Sequence, residues 1–551
     1  MPLAAATARF VRHEAWCEFG FARLSDHARE RFGRCGRWVR DMATLGAAIE
    51  SLPGLGRAVS GDDGGRPLDR TAAVLVARVA TAETLLWWIA QARRLSIEAL
   101  RRAVLQARQS DGLHDEPAAR QVVKFLVPVP VKVAFAEALD LFRAVEGGEA
   151  PVVSFIEALV AEGAVGSGAF DAGAAVSVEA AVEGEVAAPR PSRQATDLPD
   201  ASGEWALHLA GVTLARLGLL CDEAGSGGPF DLDRQIRGLL ALEDELERRL
   251  GDLLAAMGDD AAWSRLGFDG AGHYASARLK MSRTVAEDRL RAARGLRRLT
   301  WVRQAYEAGE VALEPVMHII RLLRCGEADE ATQRAWVERA RGATVKRVRD
   351  EVRELWRRRV FDGDAEHRHP LDIPLDDSAW HASLRREPGA TRERVSRLAA
   401  LAMEHPVPDI FLRLRLPADT ARALMAAVES RREGLAPWVG LMALLAEFVA
   451  TWDPPASGVK RRSEKIYIRA GYRCMAPGCL SRRNLEDHHL VYRSRGGGNE
   501  PANRECLCRF HHQRGEHGGL SRCRGRAPLG VVWRIGRGGG ATWWRNELRV
   551  R

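Results

Sequence analysis

The sequence has no run of about 18 apolar residues, so no membrane-spanning helix and no membrane partner are expected. Its opening stretch, MPLAAATARFVRHEAW, carries Arg9, Arg12, His13 and Glu14 before any long apolar segment forms, and is not read as a secretory leader. Nine cysteines, an odd number, make a disulfide framework a poor expectation, and a cytoplasmic location follows from the two readings together. Strand-like alternation is scarce before residue 450. What remains is the composition of a soluble globular protein, 46% apolar and 28% charged. At 551 residues it is long enough for three or four domains of about 150 residues.

The body reads as helical. Ile236, Leu239, Leu240, Leu242, Leu246 and Leu250 in IRGLLALEDELERRL recur at intervals of three and four, which puts them on one helix face. Between 164 and about 204 the chain turns rich in Ala, Gly, Pro and Ser and loses any helical stripe, as a flexible linker does. We take the linker as 164–229. On either side the sequence resembles itself. GFARLSDHARERFGRCGRWVRD from Gly20 aligns with GFDGAGHYASARLKMSRTVAED from Gly267, and WIAQARRLSIEAL from Trp88 with WVERARGATVKRV from Trp336. Pro130 and Pro417 each precede a helical run. Two related helical modules are therefore expected, at 1–163 and 230–450. The second contains a candidate helix-turn-helix over 268–299. Ser282 stands as cap of its second helix, and Arg283, Arg289, Arg291, Arg294, Arg297 and Arg298 are candidate phosphate contacts.

Charge and cysteine both concentrate at the C-terminal end. Residues 451–551 hold 21 Lys and Arg against 8 Asp and Glu, whereas the first 450 hold 61 against 65. A basic module on a near-neutral body suggests a polyanionic partner. Five of the nine cysteines, Cys474, Cys479, Cys506, Cys508 and Cys523, lie there too, mixed with histidines, as in a metal site.

The stretch YIRAGYRCMAPGCLSRRNLEDHHLVYRSRGGGNEPANRECLCRFHHQRGEHGG, from Tyr467, interleaves two ligand sets. Cys474 and Cys479 flank a Pro-Gly turn, and Cys508 and His511 have the spacing of a turn at a helix start. Together they make the closed Cys3His combination that zinc favours. Cys506 is a possible substitute for Cys508, with poorer spacing to His511. A fold of about 60 residues has little core of its own, and structural zinc supplies on the order of 10 kcal/mol. The second set is His488, His489, Asn503, His512 and His517. Adjacent residues on a strand point to opposite sides, so His488 and His489 cannot both face one ion. Phosphodiester hydrolysis needs a cation, a base for water and a group to orient that base, and this set offers candidates for each. In the loop RSRGGGNEPAN, Arg493 and Arg495 are candidate phosphate contacts.

Over about 465–520 these motifs resemble the HNH endonucleases, the ββα-metal nuclease family. That family shows a Cys pair, Asp/His-His, a Gly-rich loop, Asn, Leu-Cys-x-x-Cys/His-His and a last His. The counterparts here are Cys474/Cys479, Asp487-His488-His489, Gly496–Gly498, Asn503, Leu507 to His512, and His517. The resemblance implies a mainly α chain ending in a small zinc-stapled ββα-metal domain at 460–551. It implies a metal-dependent DNA endonuclease with His489 as general base and Asn503 fixing the loop and the orientation of His489. His488, His512 and His517 would hold a catalytic Mg2+ or other divalent cation, while Cys474, Cys479, Cys508 and His511 hold structural Zn2+. The products would carry 5′-phosphate and 3′-hydroxyl ends. The helical modules resemble the region that often precedes HNH modules in bacterial proteins.

One spacing departs from the family. His512 and His517 are five apart, about 140° around an ideal α-helix, where the family has four. Either Gly515 lets the helix bulge so that His517 turns in, or Glu516 takes its place. Asp487 sits one position too early for the metal shell. A cation site decayed to leave a zinc-containing DNA-binding protein is the alternative function. The tail VVWRIGRGGGATWWRNELRVR reads as a basic β-hairpin around an RGGG turn.

Overall fold

The computed structural model describes residues 1–110, 120–146, 150–166, 227–260, 262–279, 281–323, 328–361, 373–453 and 463–550. The expected linker lies, from 167 to 226, outside the described residues. The chain is mainly helical, with small antiparallel sheets.

Helix starts repeat in order and spacing. The first half begins helices at Leu24, Gly36 and Pro53, and the second at Ala271, Arg283 and Thr300, the same distances apart. Trp88 and Trp336 are buried on the corresponding later helices, Leu85–Arg94 and Glu330–Gly342. Each half then supplies one strand, β1 (Arg120–Val127) and β2 (Ile410–Pro417), followed by a helix at Val129–Glu146 or Ala418–Glu429. The two strands pair antiparallel, Arg120 opposite Pro417 and Val127 opposite Ile410. Phe125, Val127, Leu412, Leu414 and Leu416 point into one core with Phe142, Phe155 and Phe448. The halves thus share a core across the linker.

Residues 271–278 and 283–296 form two helices joined by a turn, and the Ser282 hydroxyl accepts the Val285 N–H at 3.3 Å. Several arginines of the second helix are occupied internally. Arg289 is buried against Glu247, and Arg291 and Arg297 pair with Asp288 and Asp259.

The C-terminal residues carry the remaining strands: β3 (Leu485–His489) paired with β4 (Arg504–Cys508), then a sheet of β5 (Ser521–Arg524), β6 (Val532–Ile535), β7 (Thr542–Arg545) and β8 (Leu548–Arg549). The tail is therefore not a lone hairpin. The expected β6–β7 pair is flanked by a strand on each side, and Trp533 is buried in the core beneath.

Buried polar contacts fasten this module to both halves. Lys346 is fully buried at the start of helix Val345–Phe361. Its ammonium donates to the Cys474 carbonyl at 3.1 Å and pairs with Glu547 at 2.7 Å. Glu547 also accepts the Thr344 hydroxyl and the Gly478 N–H. From the first half, Arg29 donates to the Gly478 carbonyl at 2.7 Å. Asp140 gathers Arg353, Arg386 and Arg482 at 3.2, 2.6 and 3.0 Å, and these guanidinium groups outweigh burial to hold its carboxyl well below the usual range.

The same seam makes the fold acid-sensitive. Burial lowers His381 to about 4, opposed only in part by its 3.2 Å hydrogen bond with the Asn546 side chain. An unfolded histidine titrates near 6.5. Between those values the unfolded chain binds a proton that the folded chain refuses. The contribution is complete above about pH 6.5 and is lost as pH falls, at up to about 1.4 kcal/mol per pH unit. His381→Gln is expected to flatten that acid limb in urea-unfolding measurements, and an unchanged slope would contradict the assignment.

Candidate metal centres

Cys474, Cys479, Cys508 and His511 come together from three pieces of chain. The first two flank a turn in which Cys479 N–H donates to the Ala476 carbonyl at 3.1 Å, with Gly478 at φ +71°. Cys508 ends β4, and His511 follows in the helical segment Phe510–His517. All four are buried, and their ligand atoms lie within 4.8 Å of one another. His511 Nδ1 stands 3.3 Å from Cys508 Sγ and 3.6 Å from Cys474 Sγ. Its Nε2 lies 2.9 Å from the Gly20 carbonyl, as in metal sites where the second ring nitrogen donates to a backbone oxygen and fixes the ring. Three sulfurs and one imidazole nitrogen at this closeness could hold a metal ion. Cys506 is also buried but stands outside the group, its carbonyl accepting the Met475 N–H at 2.9 Å.

His488, His512 and His517 form a second group, again with ligand atoms within 4.8 Å. The five-residue spacing is resolved by the backbone. Phe510–His517 is a π-helix, and the Gly518 N–H donates to the Gln513 carbonyl five residues back. A winding with i→i+5 bonds brings residues five apart onto one side, and His512 Nε2 and His517 Nε2 are 3.3 Å apart. Glu516 is held through one oxygen, which accepts the Cys523 N–H at 2.6 Å. Its other oxygen stands 3.9 Å from His488 Nε2, so Glu516, Cys523 and His488 form a second, overlapping buried group. His488 is 2% exposed and its Nε2 has no hydrogen-bond partner. Burial, helped by His512 and His517, lowers its pKa to about 3. That ring is therefore neutral, the form that ligates metal. His512 Nδ1 is hydrogen-bonded to Glu486, leaving its Nε2 toward the group, and the His517 ring stacks on Tyr492.

His489, next on β3, is turned away from this group. Its Nε2 lies 3.0 Å from Asn499 Oδ1. Asn503 instead grips the loop backbone. Its Oδ1 accepts the Val491 N–H at 2.8 Å, and its Nδ2 donates to the Val491 and Gly498 carbonyls at 3.1 and 2.9 Å. Asn503 thus reaches His489 only through the main chain, and the side chain that touches the ring is Asn499. The glycines serve the same closure, since a Cβ on Gly497 would meet the Val491 carbonyl at 1.8 Å. Arg493 and Arg495 are exposed on the short turn before the glycines, with Arg495 over the Tyr492 ring at 5.4 Å. Among the described residues neither arginine has an ion pair. Asp487 pairs with Arg504, outside both groups.

Sequence reasoning missed Asn499, Glu486 and Tyr492. Asn499 directly follows three glycines, and that was the one signal available for it. The histidine group opens to the surface. A cavity of about 980 Å³ lies elsewhere, among Glu30, Arg248, Tyr306, Arg341 and Trp544, and none of these histidines lines it. No protein-family model, no curated protein and no solved structure matches this chain.

Proposed function

We propose that the C-terminal module is a metal-dependent endonuclease of the HNH type, hydrolysing DNA phosphodiester bonds. The observation that carries this reading is the pairing of two unlike centres whose ligands interleave between Cys474 and His517: a buried Cys3His group, and a group of three imidazoles open to the surface beside a separate histidine. The first has the donor set of structural zinc. The second has His488 Nε2 buried and unpartnered, as a ligand atom awaiting a cation would be. A divalent cation there would neutralise charge on a phosphate.

The chain's own groups supply the rest. With Nε2–H donated to Asn499 Oδ1, the lone pair of His489 is on Nδ1, free to take a proton from the attacking water. Asn503 keeps that strand end and its loop in place. Arg493 and Arg495 are exposed for backbone phosphates.

The ligand set also ranks the cations. The group of three is all imidazole, and the nearby Glu516 carboxylate, 3.9 Å from His488 Nε2, is engaged by the Cys523 N–H. Imidazole suits nickel, zinc and related transition ions, whereas magnesium prefers carboxylate, carbonyl and water. Supercoiled plasmid nicking should therefore appear at lower concentrations of Ni2+ or Co2+ than of Mg2+, and EDTA should abolish it. No nicking with any of these ions, alongside retained DNA binding, would replace this reading with that of a zinc-containing DNA-binding protein.

A further inference from the structure

The β1–β2 ribbon is covered on one face only. On the other, three cross-strand pairs stand in the open: Val122 with Arg415, Lys124 with Arg413, and Leu126 with Phe411. Val122, Leu126 and Phe411 are 55%, 45% and 49% exposed and share this one face. The two strands, RQVVKFLV and IFLRLRLP, contain no acidic residue.

The charges on this face are unbalanced. Lys124 and Arg413 are directly opposite each other. Like charges in that position destabilise a ribbon. Among the described residues none of Lys124, Arg413 and Arg415 has an ion pair. Arg413 lies over the Phe411 ring at 5.7 Å. Arg415, Arg37 and Arg78 crowd Arg101, whose pKa is lowered first by burial and then by these three. Of the neighbours, Arg78 and Arg37 share Asp41, at 2.6 and 3.9 Å, and the Glu98 carboxylate opposes the shift of Arg101.

We infer that this ribbon is a docking element for duplex DNA, lying in the major groove with Lys124, Arg413 and Arg415 toward the phosphates and base edges. A two-stranded antiparallel ribbon has the width that groove admits. One strand comes from each half of the chain, and the register is centred between Val123–Lys124 and Arg413–Leu414. The ribbon therefore has a local two-fold relation, as symmetric DNA readers do. A polyanion removes the like-charge repulsion and covers the apolar side chains at once. A second copy of this chain would instead set cation against cation at the centre. The inference rests on the DNA-hydrolase reading and adds a contact made by the helical body to it.

The test uses the full chain carrying His489→Ala, which keeps the duplex intact, and a fluorescent 30-base-pair duplex titrated at several salt concentrations. Lys124→Gln/Arg413→Gln/Arg415→Gln in that background should weaken binding at least tenfold near 0.1 M salt. It should also lower the salt slope by roughly 2 to 3, at about 0.9 per phosphate contact. Its melting temperature should equal or exceed the parent's, because the facing like charges are gone, so weaker binding is not unfolding. Equal affinity and slope in the variant overturn the ribbon alone. A parent that binds no duplex, with a wild-type chain that nicks no plasmid, overturns the hydrolase reading as well. A wild-type dimer that the triple variant converts to monomer in sedimentation also overturns the inference, since the face would then join two copies.

Discussion

Replacing Cys508 with serine is expected to cost the C-terminal module both its ion and its fold. The four donors are buried within 4.8 Å of one another, and they sit inside the core that also holds Ile466, Leu507, Trp533 and Ile535. Burial and the neighbouring thiols raise the Cys474 thiol well above its ordinary range, while His511 is raised by the sulfurs around it in spite of its burial. A metal ion held there would replace these protons with four metal–ligand bonds. The contribution of such an ion, on the order of 10 kcal/mol, is comparable to the whole stability of an ordinary small domain. Elemental analysis of the dialysed wild-type chain should find about one zinc per chain, and of Cys508→Ser close to none. The variant should also be cut rapidly by protease beyond residue 463. The effect should spread to the body, because His511 is tied to Gly20, and Lys346 to the Cys474 carbonyl. A serine variant that stays protease-resistant without zinc would show that apolar packing alone holds the module.

His489→Ala should have the second largest effect, of the opposite kind. The residue touches neither metal group, and its ring is only hydrogen-bonded to Asn499. Removing a general base typically lowers the chemical step about 100- to 10,000-fold. Nicking should fall by that factor while zinc content, thermal stability and duplex affinity stay at wild-type values. Asn499→Ala should give a smaller loss in rate, since it removes the partner that selects the tautomer and leaves the base. Asn503→Ala should loosen the loop as well, because three backbone hydrogen bonds disappear with it. Wild-type rates in His489→Ala would transfer the role of base to another group.

The parts legible in the sequence were those whose chemistry is local. Cys474, Cys479, Cys508 and His511 are read from short spacings because a tetrahedral ion constrains close neighbours. The positions of His512 and His517 were legible but their relation was not. An α-helical rotation puts them far apart, and the π-helix that reunites them has no marker beyond Gly515 and the spacing itself. The role of Asn503 was half legible: the loop is fixed by it, but Asn499 orients the ring, and two asparagines in one loop look alike in sequence. Pairing of β1 with β2 spans nearly the whole body. From Leu412 to Leu416 apolar and basic residues alternate, a half-buried strand pattern too short to stand out in a helical body, and nothing in it names a partner some 290 residues earlier. The strands β5 and β8 were illegible for another reason. At four and two residues they are too short for alternation to register, whereas β6 and β7, at four residues each, were legible through the RGGG turn between them.

The chemistry of the cut is the most direct test of metal-dependent hydrolysis by this module. Plasmid nicked by the full chain with Ni2+ or Co2+ should be resealed by DNA ligase without further treatment. That requires 5′-phosphate and 3′-hydroxyl ends, the products of water attacking phosphorus with loss of the 3′-oxygen. Nicks that ligase cannot seal, or no nicks at all, would contradict it.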